Sequence, residues 1–458
     1  MERIVMKRVT SLVVCVVAVA LLVASASADR GMIRSVKRVN VEEPAQRAII
    51  AYNGAQELLI LQTDVRAAEE TRIVEFMPLP SKPEVSLAPE GCFAELAKIV
   101  QTHRMSYRSR RGGKHRRDAG GAAVTVVVAA QLGPHAVTVV EVKDADAFVT
   151  WVKRFFREQD LGEPDLSGQL RGVVSDYLNR KIRFFAFDVV TMSPEKKTVR
   201  PLAYSFESDR LYYPLKVTNL YGGEGVVELF VIIPDAFDAR RLRDRAFIRI
   251  QPGSIRGGAE LTGPEREKLM RRAAVVDVSV RSGVVTLKSD ELERLHTQIP
   301  ALAWGGDARM IAVRYEGALR FDADVEGTLG FVHPGDAAKT FFNALRTGKT
   351  GVLPAVVGVP FAFDGVEVMN EKAAVVKKFE RALAKPLGQP GNAAQIVGTQ
   401  MPARSYRFVL RDAFSRRFVE RHLLKRQAII VGLTLDGEEA LIFVRRDART
   451  WRVVGFRD

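Results

Sequence analysis

Between Arg47 and Val65 two apolar runs, RAIIAY and ELLILQTDV, flank Asn53-Gly54. This pattern constrains the chain more than any other, because Asn and Gly both accept the positive φ that a two-residue hairpin turn demands. It predicts a β-hairpin closed by a type I′ turn. Thr71 to Met77 predicts another strand, stopped where Pro78, Pro80 and Pro83 remove amide donors. Val-rich runs at Ala123–Ala130 and Ala136–Val142, parted by Gly133-Pro134, predict a second strand-turn-strand unit.

The period then changes. Phe148, Trp151, Val152, Phe155 and Phe156 fall on one face of a helix capped by Asp144 or Asp146, and this aromatic stripe reads as core rather than as a cofactor site. Cys92–Val100 and Leu166–Arg180 also carry helical spacing. Strands are expected at Ile182–Val190, Leu202–Glu207, Tyr212–Thr218 and Val226–Ile233. Beyond Gly263 the pattern predicts a helix at Pro264–Arg272, strands at Val275–Val280 and Val284–Leu287, and a short helix with Ser289 as its N-cap. Strands follow at Met310–Tyr315 and Leu319–Val325, then a helix at Glu371–Ala384 stopped by Pro386. The expected fold is α+β: a β-rich mixed domain with several hairpins and flanking helices, plus a small C-terminal α+β module. The expected division is a leader over 1–28, a domain in two parts over 29–250 and 251–385, a linker rich in Pro, Gly, Gln and Asn over 386–398, and the module over 399–458.

The leader is read as a cleavable signal peptide. Arg3, Lys7 and Arg8 supply a positive start, Leu12 to Ala24 is unbroken apolar sequence, and Ala26-Ser27-Ala28 offers small residues for cleavage before Asp29. The apolar run is short of the roughly 20 residues that cross a bilayer. Cys15 lacks the small preceding residue of a lipoprotein site and would leave with the leader. Cys92 is then the only cysteine, so no internal disulfide can form and an apolar core must hold the fold together. The expected destination is the periplasm or the cell exterior, with no membrane-spanning segment after cleavage.

Formal charge is +15, falling to +13 once Arg3, Lys7, Arg8 and Glu2 are removed. Nearly half of that excess sits in the loop His103–Gly121, where Arg104, Arg108, Arg110, Arg111, Lys114, Arg116 and Arg117 face only Asp118. These residues, with Tyr107 among them, are candidate contacts for an anionic envelope polymer; nucleic acid is not an expected partner outside the cytoplasm. The competing reading is a solvated charged loop, since the segment has almost no apolar content.

Four phrases carry a family resemblance: DRGMI (Asp29 to Ile33), EEPAQRAIIAYNGAQELLILQTDV (Glu42 to Val65), FMPLPSKP (Phe76 to Pro83) and FESDRLYYPLKVTNL (Phe206 to Leu220). Behind an export leader, this set resembles a bacterial exported family known only as domain of unknown function number twenty-three thirty. The likeness is clear from Asp29 to Asp235 and fades toward Ala384. It implies a bacterial, extracytoplasmic protein and transfers no site residue. Some members carry a C-terminal membrane helix, whereas this sequence ends in Arg457-Asp458 without one.

No catalytic constellation is legible. NALRTGKT (Asn343 to Thr350) ends like a phosphate-binding loop, but Asn343 stands where that loop needs glycine, and Lys339 to Arg346 has helical spacing. Asp322, Asp324 and Glu326 are weak metal candidates in the pattern of a calcium loop whose last position is His333 rather than Glu. Their alternation with Leu319, Phe321, Ala323 and Val325 favours a half-buried strand instead. The six histidines show no paired metal spacing, and most are expected at the surface. Cys92 follows Gly91 at a helix start, where the dipole lowers a thiol's pKa, yet a lone cysteine is by default a small buried hydrophobe. No cofactor is expected and no catalytic residue is assigned. The leading reading is a non-catalytic binding or structural protein; the rivals are an extracytoplasmic hydrolase with a site assembled from distant residues and a polyanion-binding surface protein.

Overall fold

The computed structural model describes residues 31–33, 41–67, 71–105, 123–132, 135–166, 170–192, 197–198, 200–220, 224–237, 276–277, 284–319, 321, 323–327, 329–383, 395–435, 438–447 and 450–457. The expected leader, the helix at 264–272 and most of the basic loop lie outside these residues. The fold is α+β, with helices packed on mixed sheets.

The hairpin sits in the middle of the largest sheet. Strands Val41–Tyr52 and Gln56–Ala67 pair antiparallel up to Tyr52 opposite Glu57, and the first of them also runs parallel to Glu224–Pro234. Ala308–Ala318 extends the sheet on one side; Leu202–Glu207 and Glu84–Leu87 extend it on the other. Both faces are covered, which explains why the hairpin runs are nearly continuous in apolar residues rather than alternating. Ile49, Ala51, Leu58 and Ile60 pack under the helix Cys92–Thr102, while Ile50, Tyr52 and Leu59 enter the main core.

The turn is not of type I′. Among its residues only Gly54 has a positive φ, 94°. Asn53 serves through its side chain, whose Oδ1 accepts the amides of Ala55 at 3.0 Å and Gln56 at 2.8 Å. A short polar side chain that caps its own turn gives the same punctuation as a left-handed residue.

A five-stranded antiparallel sheet runs Met32–Ile33, Thr71–Leu79, Phe184–Met192, His135–Asp144, Ala123–Leu132. The helix Ala145–Glu158 closes over it, with Asp144 accepting the amides of Asp146 and Ala147 as its cap. The aromatic stripe is core: Trp151 lies 4.8 Å from Phe187 and Phe148 lies 5.4 Å from Phe185, ring centre to ring centre.

Three strand expectations need correction. Thr71–Leu79 continues through Pro78, which sits opposite Phe185. Its other neighbour, Met32–Ile33, reaches only Val74 and Glu75, so at Pro78 no ladder on that side asks for an amide donor. The expected strand Tyr212–Thr218 is Leu211–Tyr213 followed by a 3₁₀ helix, Lys216–Leu220. Pro214 has no amide to donate, and Asp324 takes those of Leu215 and Lys216 at 2.8 and 2.7 Å. Among the described residues of the Leu319–Val325 run, only Val325 enters a strand, Val325–Gly327, which pairs with Leu211–Tyr213. Ser289 is the first helical residue rather than the cap.

The four recognisable phrases meet one another. The Gly31 carbonyl accepts the Phe76 amide at 2.8 Å, and Gly31 is required there: φ is 89° and a Cβ would lie 2.3 Å from Val217. Tyr212 donates its hydroxyl to the Pro78 carbonyl at 3.1 Å and its amide to Glu57 Oε2 at 2.8 Å. The Tyr213 hydroxyl reaches Gln46 at 3.3 Å. Both tyrosines are buried, so these phrases are joints between strands.

A six-stranded sheet follows, in the order Glu367–Met369, Val357–Phe363, Thr450–Arg457, Glu438–Asp447, Ala428–Leu435, Gln395–Pro402. It takes two strands from before residues 386–398, one, Gln395–Pro402, that begins within them, and three from after them, with Val357–Phe363 parallel to Thr450–Arg457. Helices Pro334–Thr347 and Lys372–Ala382 cover one face through Phe341 and Phe379, 5.4 Å apart. Helix Ala413–His422 covers the other through Phe418 and Val419.

Burial holds the Glu57 carboxyl well above its ordinary value of 4.5, against the opposing Tyr212 amide. The folded chain therefore binds that proton more tightly than the unfolded chain, and stability declines as pH rises from the ordinary carboxylate range. Glu57→Gln keeps an acceptor for Tyr212 and removes the proton. Chemical denaturation from about pH 5 to about pH 8 should show a shallower loss of stability in the variant than in the parent. Parallel curves would contradict this assignment.

Candidate functional site

The residues that the sequence offers as metal or polyanion contacts are placed as follows. Asp324 is 4 % exposed and accepts four hydrogen bonds: the Tyr177 hydroxyl at 3.0 Å, Arg180 at 2.7 Å and the two amides of Leu215 and Lys216. Burial raises its pKa although Arg180 and these donors oppose the rise. Glu326 pairs with Arg180 and, at 3.3 Å, with Arg210. Asp322 lies outside the described residues. No group of three or more His, Cys, Asp or Glu among the described residues could hold a metal ion. Arg104 is exposed just after helix Cys92–Thr102, with φ 51°; Arg108, Arg110, Arg111, Lys114, Arg116 and Arg117 lie outside the described residues.

Cys92 begins its helix as the spacing predicts, but burial pushes its thiol up to about 11, outweighing the helix terminus. Among the described residues, two of the six histidines are buried. His296 is buried and accepts the Gln298 amide at 3.2 Å. His135 is 3 % exposed, with Nδ1 2.5 Å from Asp188 and Nε2 2.7 Å from the Arg200 carbonyl. A carbonyl only accepts, so Nε2 donates to it; with Asp188 on the other nitrogen, the ring is satisfied on both sides. Burial opposes its charge, yet Asp188 prevails and raises the pKa. This pair joins two strands of the five-stranded sheet and presents no free nitrogen to a substrate.

A cavity of about 550 Å³ opens elsewhere, between the turn after helix Ile299–Leu302 and the C-terminal half of helix Pro334–Thr347. That volume is in the range of small-molecule sites. Trp304 forms one wall. It occupies left-handed backbone at φ 59°, a conformation that bulky residues rarely hold without a reason in their surroundings. Its indole stacks on Phe331 at 5.9 Å and meets Phe237 edge-on at 5.4 Å. The opposite wall is Thr340, Asn343, Arg346 and Thr347, a single stripe of the helix at i, i+3, i+6 and i+7 spacing. Gly348, at φ 68°, ends the helix and sends Lys349 to the rim.

These are the letters NALRTGKT in a new role. The helix runs through Asn343 to Thr347, as its spacing predicts, and no phosphate loop forms. Its side chains nonetheless line the cleft, with two cations and, among the described lining residues, no carboxylate. Cations at a helix C-terminus also offset the helix dipole. What sets this place apart is Trp304 Nε1 and Asn343 Oδ1, both buried and both without a hydrogen-bond partner. Each such orphan costs about 1–3 kcal/mol. A polar cavity of about 460 Å³ adjoins across Thr340, lined by Asp235, Arg309, His333, Asp336 and Lys339, with Asp235 and Arg309 paired at 2.6 Å.

A family model described as an uncharacterized protein conserved in bacteria (DUF2330) matches residues 23–260. The chain belongs to that family. No curated protein and no solved structure matches it. In this DUF2330 protein the matched stretch contains the joints around Gly31, Glu57, Pro78 and Tyr212, whereas the cleft residues from Ala301 to Val352 lie beyond it. Trp304 is missed by the sequence patterns above; its only local signal is the Gly305-Gly306 pair that follows it.

Proposed function

We propose that this DUF2330 protein is an exported, non-catalytic binding protein of the periplasm or cell exterior, and that its ligand seat is the Trp304 cleft. The observation that carries the seat is the pair of orphaned polar atoms, Trp304 Nε1 and Asn343 Oδ1, beside two lining cations. An indole wall favours a flat apolar body, Arg346 and Lys349 favour an anionic group on it, and the orphans ask for one acceptor and one donor. Export is supported by the positive start, the apolar run Leu12 to Ala24 and the Ala26-Ser27-Ala28 cleavage pattern. Among the described residues no helix is long and apolar enough to cross a membrane.

N-terminal sequencing of the protein from an extracytoplasmic fraction should begin at Asp29; an intact Met1 in the membrane fraction would contradict export. For the seat, anilinonaphthalene sulfonate is a suitable probe because it combines a planar apolar body with an anion. Titration should saturate at one site, with affinity falling about tenfold, or 1.4 kcal/mol, in both Trp304→Ala and Lys349→Glu. Lys349 is exposed, so its variant reports on charge without disturbing the core. Unchanged affinity in Lys349→Glu, with the fold intact by circular dichroism, would overturn the seat.

A further inference from the structure

Between Ala403 and Gln427 the chain carries eight arginines and lysines against two acids, Asp412 and Glu420. Both acids are engaged locally. Asp412 accepts the Ser415 amide at 2.6 Å as the cap of helix Ala413–His422, and Glu420 accepts the Tyr406 hydroxyl. That second bond holds the 3₁₀ helix Ala403–Phe408 alongside Ala413–His422. Tyr406, Phe418 and Val419 share one apolar cluster with Ile430, Phe443 and Val454 of the six-stranded sheet, so the two helices form an outer layer on it.

The layer turns charge outward without counter-charge. Arg417 and Arg421 lie one turn apart on the side of the helix away from Phe418 and Val419. Together with Arg404, Arg411, Lys425 and Arg426 they are exposed, and none of the six forms an ion pair or side-chain hydrogen bond with the described residues. Among these cations stand Phe408, 89 % exposed, and Leu424, 42 % exposed, two of the four large apolar side chains left exposed among the described residues. A single exposed apolar side chain is ordinary. A bare ring set among unpaired cations is the composition of a surface that lies in a membrane interface.

We propose that this layer docks on an anionic phospholipid surface, its cations meeting the headgroup phosphates while the Phe408 ring enters the boundary with the acyl chains. Electrostatic attraction and apolar burial add in such a contact. A soluble polyanion would answer the cations but leave Phe408 in water, and a second copy of the chain would set the same cations against one another. Helix Pro334–Thr347, which lines the Trp304 cleft, covers the opposite face of the sheet, so docking leaves the cleft open. The docking surface does not depend on the ligand seat.

The test is vesicle co-sedimentation of the processed protein beginning at Asp29, so that the apolar leader takes no part. Vesicles of phosphatidylcholine with about one-third phosphatidylglycerol should bind it, and vesicles of phosphatidylcholine alone should not. Phe408→Ser should weaken binding to the anionic vesicles about tenfold while retention on heparin stays unchanged. Arg417→Glu should weaken it at least about fivefold. Lys153→Glu makes the same change of charge at an exposed site on helix Ala145–Glu158 and should leave binding within about twofold of the parent. All three positions are exposed, so circular dichroism should show the parent's fold. Equal binding to the two kinds of vesicle would overturn the docking. So would anionic-vesicle binding by Phe408→Ser equal to the parent's, a result that would give the cations to a soluble polyanion. Equal losses in Arg417→Glu and Lys153→Glu would overturn the placement of the surface.

Discussion

The amide of Tyr212 closes onto a carboxyl buried beneath the central hairpin, and much of the chain is arranged around that bond. Glu57 stands opposite Tyr52 on the last rung of the hairpin, so both side chains leave the same face of the sheet. Tyr212 ties Glu57 to its own segment and, through its hydroxyl, to the five-stranded sheet at Pro78. Asp324 then fixes the residues after Pro214 by taking two amides, the Tyr177 hydroxyl and Arg180. Buried acids are tolerated where donors converge on them.

Local signals were read well where one interaction decides the outcome. Asn53-Gly54 and the Phe148 to Phe156 stripe each mark an element, because turn chemistry and burial of an apolar face act over a few residues. Readings failed where a distant partner intervened. Tyr212–Thr218 has strand-like composition, yet Asp324, more than a hundred residues later, bends it into a 3₁₀ helix. Pro78 stops no strand because its neighbour on that side is only two residues long. His135 looks like any surface histidine until Asp188 and the Arg200 carbonyl are brought against it.

The candidate seat was half legible. NALRTGKT drew notice for its resemblance to a phosphate loop, and the objection to that reading, its helical spacing, holds. The same helical spacing aligns Asn343, Arg346 and Thr347 along one wall. The other wall could not be foreseen, since Trp304 reaches the cleft through left-handed backbone and a cage of Phe237 and Phe331 drawn from distant segments. Family membership does not supply it either. The matched residues end before the cleft begins, so the proposed seat lies outside the stretch that this DUF2330 protein shares with its family.

The central claim is that the Trp304 indole waits for a hydrogen-bond partner that a ligand brings. Three tryptophans give three indole N–H signals in a ¹⁵N–¹H correlation spectrum of the intact chain, and Trp304→Phe assigns the one in question. Titration with a planar aromatic sulfonate should move that signal downfield in a saturable way while the signals of Trp151 and Trp451 stay in place. A Trp304 signal unmoved at saturating sulfonate would contradict the account.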